Sequence, residues 1–224
     1  QQNWEPIVLC PKNPEYPILD ESFLKEVKDI PVLQTKIWEP SRFLKKMGAK
    51  SAANLSGGFV AEKKSWKNDW AVFLRGNFFI PDARKFWIKP SVNFLKKYLR
   101  NHTVDAIISS GPPHSCHLIA LPIAQYFNIP WIADFRDPWT NIDFYKDLHL
   151  TSWADKKHHE LEKKVVQNAD CVLVVGSTMK TEMEEIGAKK TIVVANGFDY
   201  DYNYLDLELD KKFTITHLGT TGKN

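Results

Sequence analysis

A chain of 224 residues is long enough for one large domain, or for one domain and the start of a second. With 43% hydrophobic and 25% charged residues it is neither disordered nor fibrous, and no apolar run approaches the roughly 20 residues that span a bilayer. The net charge of +3 hides an asymmetry: residues 42–100 hold 14 Lys/Arg against three acids, leaving 16 bases against 24 acids elsewhere. Trp66, Trp70, Trp87, Phe73, Phe78 and Phe94 interleave with those cations. That pattern suits the headgroup zone of an anionic membrane, a packed helical pair with a solvated lysine face, or single-stranded nucleic acid. The expectation adopted is an anionic membrane surface through residues 42–100, with no nucleic acid. Cys10, Cys116 and Cys171 are isolated and odd in number, which reads as buried cytosolic thiols and not a disulfide framework.

In chain order, residues 6–10 read as a buried strand, followed by a proline-rich loop. Asp20 can cap a short helix over 21–27, and 32–37 is the next strand. A small helix over 42–47 precedes a mobile loop over 51–64. Ser65 or Asp69 starts a helix to about Asn77, and Pro81-Asp82 opens another over 83–100, interrupted near Pro90. Residues 104–109 form a strand of the kind buried on both faces, and Gly111 breaks it. Pro112 and Pro113 suit a first helical turn, and 114–127 shows one apolar face at Leu118, Leu121, Ala124 and Phe127. A strand over 131–133 completes a β-α-β unit, which implies parallel strands and a right-handed crossover. After an irregular stretch come a polar helix over 152–167, a strand over 171–175, a helix over 177–185 ended by Gly187, and a strand over 191–195. Residues 200–212 read as a linker and 213–218 as a new strand. The fold class is therefore α/β, with a Rossmann-like, mostly parallel sheet and helices on both faces. No strand, glycine loop and helix precede Pro6, and the strand at 213 lacks its domain, so the expectation is a chain truncated at both ends.

Ligands of open parallel sheets bind beyond the carboxyl ends of the strands. Two clusters fall there. Ser110-Gly111-Pro112-Pro113-His114 sits where a phosphate loop would, but two prolines remove two backbone N–H donors. A hydroxylated acceptor or sugar ring, contacted by Ser110 and His114, suits it better. Asp134-Phe135-Arg136-Asp137-Pro138-Trp139 gathers two carboxylates, a guanidinium and two rings. Asp137 can orient or deprotonate a sugar hydroxyl, Arg136 can pair with phosphate, and Trp139 can stack on a pyranose. An internal Asp–Arg pair with Trp139 in the core is the competing structural reading. Ser177 caps the helix that follows, and Asn196-Gly197 forms a turn for which Gly197 supplies a positive φ. No dinucleotide fingerprint, nucleophile elbow or metal-ligand pattern occurs; residues 219–223 mimic a phosphate loop, but His217 and Asn224 replace its required glycine and hydroxyl residue.

The series Asp105 to His114, Ile129 to Trp139, Ala169-Asp170, and Val194 to Asp199, in this order, resembles the N-terminal half of bacterial family 4-like glycosyltransferases of the GT-B fold. The resemblance covers most of residues 4–199, and the Asp134 to Trp139 block is its most distinctive part. It implies an acceptor-side domain over 1–199, a linker over 200–212 and the start of a donor domain at 213–224. The implied reaction is transfer of a sugar, with retention, from a nucleotide-diphosphate sugar to a hydroxyl acceptor such as a lipid-linked glycan. Asp137 and Arg136 are then the implied catalytic residues. Ser110, Gly111, Pro112, His114, Asp134, Trp139, Ser177, Asn196 and Gly197 are the implied substrate contacts. No cofactor or metal is implied, and the location is cytoplasmic, peripheral on the inner membrane face. A nucleotide-sugar epimerase of the same fold and a non-enzymatic membrane- or glycan-docking module remain the alternatives.

Overall fold

A computed structural model describes residues 4–14, 27–39, 66–197 and 211–215. Strands β1 (Val8–Lys12) and β2 (Val32–Lys36) pair in parallel as one small sheet. Helices α1 (Trp66–Phe78) and α2 (Lys85–Tyr98) follow. Next come β3 (Ile107–Gly111), α3 (Ser115–Phe127) and β4 (Trp131–Phe135), then a 3₁₀ turn over Asp143–Leu148. Helix α4 (Ser152–Asn168), β5 (Cys171–Val174), α5 (Ser177–Ile186) and β6 (Thr191–Val193) complete the order. Strands β3, β4, β5 and β6 form a parallel sheet in sequence order. The expected α/β class, with parallel sheets flanked by helices in the manner of a Rossmann-like GT-B half, is what the chain adopts.

The core follows from side-chain alternation along the strands. Trp131, Ala133 and Phe135 of β4 and Val172 and Val174 of β5 point to one face and are buried. Leu121 and Ala124 of α3, Val165 and Val166 of α4, and Met179 and Met183 of α5 close over that face. Burying each large apolar side chain contributes about 1.5–3 kcal/mol, so this layer carries most of the stability here. The opposite face is more open: Ile108 of β3 is 66% exposed, which corrects the reading of that strand as buried on both faces. The cause is position, since β3 is the edge of its four-stranded sheet.

The small sheet is covered by α2. The buried Trp87 indole N–H donates to Thr35 Oγ1 at 2.6 Å, and Thr35 and Ser91 hydroxyls share a 2.8 Å bond. Pro90 does not interrupt α2; it is exposed, and the helix runs through it. Pro112 and Pro113 precede α3 instead of forming its first turn. Asn77 ties α1 to the segment before α4, donating to the Phe73 and His149 carbonyls while its Oδ1 accepts from the Thr151 N–H at 2.7 Å. Phe213, Thr214 and Ile215 are exposed and carry no strand, unlike the strand expected from 213. The expected helices over 21–27 and 42–47 and the loop over 51–64 lie outside the described residues, save Val27. Among the described residues no helix is long and apolar enough to cross a membrane.

Asn77→Ala removes three hydrogen bonds at a buried position and leaves the Thr151 N–H without its acceptor. The expected loss is about 2–3 kcal/mol, read from the urea midpoint at an unchanged slope.

Candidate functional site

Parallel register brings the strand tips level. Gly111 pairs with Phe135, Phe135 with Val174, and Val174 with Val193. The loops leaving β3, β4, β5 and β6 therefore emerge from one edge, which carries every site residue expected from the sequence. Across the β3–β4 register pair, the Ser110 hydroxyl donates to Asp134 Oδ2 at 2.7 Å. One step further the Arg136 backbone N–H donates to the Gly111 carbonyl at 3.0 Å, and its guanidinium donates to the Pro112 carbonyl at 3.3 Å. The loops after β3 and β4 are thus fastened together. Arg136 and Asp137 are exposed, and Asp137 has no hydrogen-bond or ion-pair partner among the described residues.

Beneath this rim lies a buried layer of rings. His114, 9% exposed, stacks face to face on buried Trp139, with centroids 4.6 Å apart and planes 3° from parallel. Both rings are largely shielded from solvent, and the Trp139 face expected to take a pyranose is covered by His114. His117, fully buried, stacks on Phe135 at 4.5 Å. Hydrogen bonds set the protons. The Trp131 indole donates to Ser109 Oγ at 2.8 Å, and the same hydroxyl shares a 2.8 Å bond with His117 Nδ1. The Trp139 indole donates to His158 Nδ1 at 3.1 Å, so His158 Nε2–H donates to the Gly76 carbonyl at 3.2 Å. Burial, with His158 nearby, lowers the His114 pKa to about 3. Burial likewise holds His117 well below its ordinary value and lowers His158 despite its bond to Gly76. All three imidazoles are neutral.

His114 Nδ1 and His117 Nε2 have no hydrogen-bond partner and converge on Gly111. A Cβ at that residue would lie 2.6 Å from His117 Nε2 and 3.2 Å from His114 Nδ1. Glycine is required there for space, at the last residue of β3.

The amino end of α3, where a doubly wound sheet commonly seats a phosphate, is taken by the chain's own carboxylate. Asp82 Oδ2 accepts from the Ser115 N–H at 2.8 Å, and Oδ1 accepts from the Ser115 hydroxyl at 2.7 Å and the Arg84 N–H at 2.8 Å. Burial, then Asp82, pushes the neighbouring Cys116 thiol up to about 12, so it is no nucleophile at neutral pH.

Buried Glu162 of α4 accepts from the Thr140 N–H and hydroxyl, holding the loop after β4, and burial raises its pKa. Asn141 donates to Glu182 of α5 at 2.5 Å. Ser177 makes no capping bond; Gly176 is the N-cap, which corrects the expected role. Exposed Ser177 instead lines an open concavity of about 370 Å³ with Thr178, Thr181, Glu182 and Glu185. Asn196 and Gly197 are exposed beyond β6, and Gly197 does not adopt a positive φ, contrary to the expected turn. The sequence places Asp82 at a helix start and assigns Glu162, His117 and His158 no site role, because their partners lie 8–82 residues away along the chain.

The family model described as Glycosyltransferase Family 4 matches residues 52–202, which include the whole of this strand-tip edge. No curated protein and no solved structure matches the chain.

Gly111→Ala forces a contact on His117 that packing must relieve, and should cost about 1–3 kcal/mol in a denaturant melt. Acid should weaken the fold as well. The unfolded His114 takes a proton near pH 6.5 but the folded ring resists until about 3, so its stability is present above pH 6.5 and lost as pH falls through that window. Between pH 7 and 5 this amounts to roughly 2 kcal/mol for His114. His114→Phe, which keeps the stack on Trp139, should make the stability-versus-pH slope shallower by about 1 kcal/mol per unit on average across the same range.

Proposed function

Because the chain belongs to Glycosyltransferase Family 4, we propose that it is the N-terminal, acceptor side of a GT-B cleft of the bacterial kind. In this reading residues 1–199 are the acceptor domain, 200–212 the linker and 213–224 the start of the donor domain. A nucleotide-diphosphate sugar is the donor, and the acceptor hydroxyl belongs to a glycan or lipid-linked glycan. The observation that carries the reading is the shared edge: at level strand tips Ser110 bonds Asp134 and Arg136 bonds the Pro112 carbonyl, while exposed Asp137 stands beside them without an internal partner among the described residues. Asp82 at the amino end of α3 supports the division of labour. An internal carboxylate there repels a diphosphate, so the donor's phosphates are held by the other domain.

The proposed mechanism follows from the exposed groups. Asp137, free of internal partners, accepts a hydrogen bond from the acceptor hydroxyl and orients its oxygen toward the anomeric carbon. As the bond from that carbon to the departing diphosphate breaks, the acceptor oxygen bonds to the same face, which retains configuration. Asp137 takes the hydroxyl proton as the new bond forms, the diphosphate departs with the bonding electron pair, and the carboxyl then releases the proton to solvent. Arg136, anchored through one nitrogen on Pro112, offers its remaining N–H groups to phosphate charge. The Ser110–Asp134 pair fixes the rim, and the neutral His114–Trp139 stack supports it from beneath without adding charge. Ser177, Asn196 and Gly197 sit further along the same edge, where an extended glycan would lie.

In the intact protein, Asp137→Ala should lower kcat for sugar transfer by at least ~100-fold while leaving the thermal midpoint unchanged. Wild-type turnover in that variant would remove the assignment. Incubation with donor alone should leave the sugar unaltered; conversion to its epimer without acceptor would indicate the epimerase instead.

A further inference from the structure

We propose that the outward faces of α1 and α2 together form a docking surface for an anionic lipid bilayer. On α1, Trp70, Leu74 and Phe78 recur every fourth residue and stand exposed, Trp70 at 59% and Phe78 at 61%. Such a stripe on a helix normally faces a core. On α2 the exposed face carries Phe86, Lys89, Phe94 and Lys97 at helical spacing, continued by Arg100 just past its end. The two stripes meet at the connection between the helices. There the Lys85 ammonium donates to the Phe78 carbonyl at 2.7 Å and lies 5.5 Å from the Phe86 ring centroid, while exposed Trp38 packs edge-on against Phe86 at 4.7 Å.

Charge identifies the partner. Helix α2 contains four lysines and no acid, and no described carboxylate pairs with Lys89, Lys97 or Arg100. Lysine–carboxylate pairs occur elsewhere: Lys157–Glu160 on α4, Lys180–Glu184 on α5, and Lys189–Asp170 between the connections that lead into β6 and β5. Unpaired cations at the flanks of an aromatic stripe match a surface that is negative at the headgroups and apolar just below. The remainder of the chain is net acidic, so an anionic bilayer attracts this side and repels the rest, which orients the molecule. An aliphatic Leu74 between two exposed aromatic residues fits acyl chains better than the flat stacking platforms that single-stranded nucleic acid requires. The surface is argued from these helices alone and does not depend on the sugar-transfer reading.

The test is flotation of the full chain with vesicles, which needs no activity. Binding is expected to phosphatidylcholine vesicles containing phosphatidylglycerol, with a blue shift of tryptophan emission, and not to pure phosphatidylcholine vesicles. Raising the salt concentration should weaken it. Lys89→Glu with Lys97→Glu, and separately Trp70→Ser with Phe78→Ser, should each reduce vesicle affinity by at least ~10-fold, with circular dichroism unchanged. Should either pair fail to fold, Lys89→Gln with Lys97→Gln replaces it with the same expected direction. Failure to bind phosphatidylglycerol vesicles, equal binding to neutral ones, wild-type affinity in both variants, or binding to a single-stranded oligonucleotide in place of vesicles would overturn the proposal.

Discussion

Four parallel strands that begin at scattered places in the chain end in one row, Gly111, Phe135, Val174 and Val193, and the site exists only because that register holds. Side chains alternate along a strand, so a slip of one residue in β4 would turn Phe135 and Ala133 outward and carry Asp134 into the core. Burial of Trp131, Ala133 and Phe135 against α3, α4 and α5 makes such a slip prohibitive. The same packing that stabilises the fold therefore places Ser110 beside Asp134 and Arg136 beside Pro112. Position at the edge is a consequence of hydrophobic patterning, not of any contact among the polar groups themselves.

Under that edge the chain keeps polar chemistry out of its interior by neutrality. Three histidines share a small buried region with three tryptophans or phenylalanines, and each imidazole is held uncharged by burial. Ser109 partners His117, and the Trp139 indole, which can only donate, places the His158 proton on Nε2. This buried layer lies beneath the exposed Arg136 and Asp137. Glu162 fastens the loop after β4 to α4 from the other side.

Charge is also divided across the molecule. Asp82 fills the amino end of α3, which turns a ready anion site into an internal cap. Cations left without carboxylate partners collect instead on α2, beside the exposed aromatic stripe of α1. In this member of Glycosyltransferase Family 4 the polar strand tips and the basic, aromatic helices are thus built from separate elements.

Local pattern alone determined the alternation of strands and helices, the parallel β-α-β unit over 107–135, and the clustering of Ser110, Arg136 and Asp137 at strand ends. Each of those rests on residues a few positions apart, where periodicity and turn chemistry act directly. Element ends moved by a few residues, and Pro90 failed to break α2 because its helix is anchored elsewhere by Trp87 and Ser91. Other properties belong to tertiary structure alone: the burial of His114 on Trp139, the cap that Asp82 gives Ser115, the unpaired hydroxyl of Ser177, and the ordinary backbone of Gly197. Asp82 and Ser115 are 33 residues apart, and His114 and Trp139 belong to loops on different strands. Whether a polar side chain faces a ligand or an internal partner depends on which distant segment packs over it. No spacing along the chain encodes that, because desolvation and stacking are decided only when the layers close.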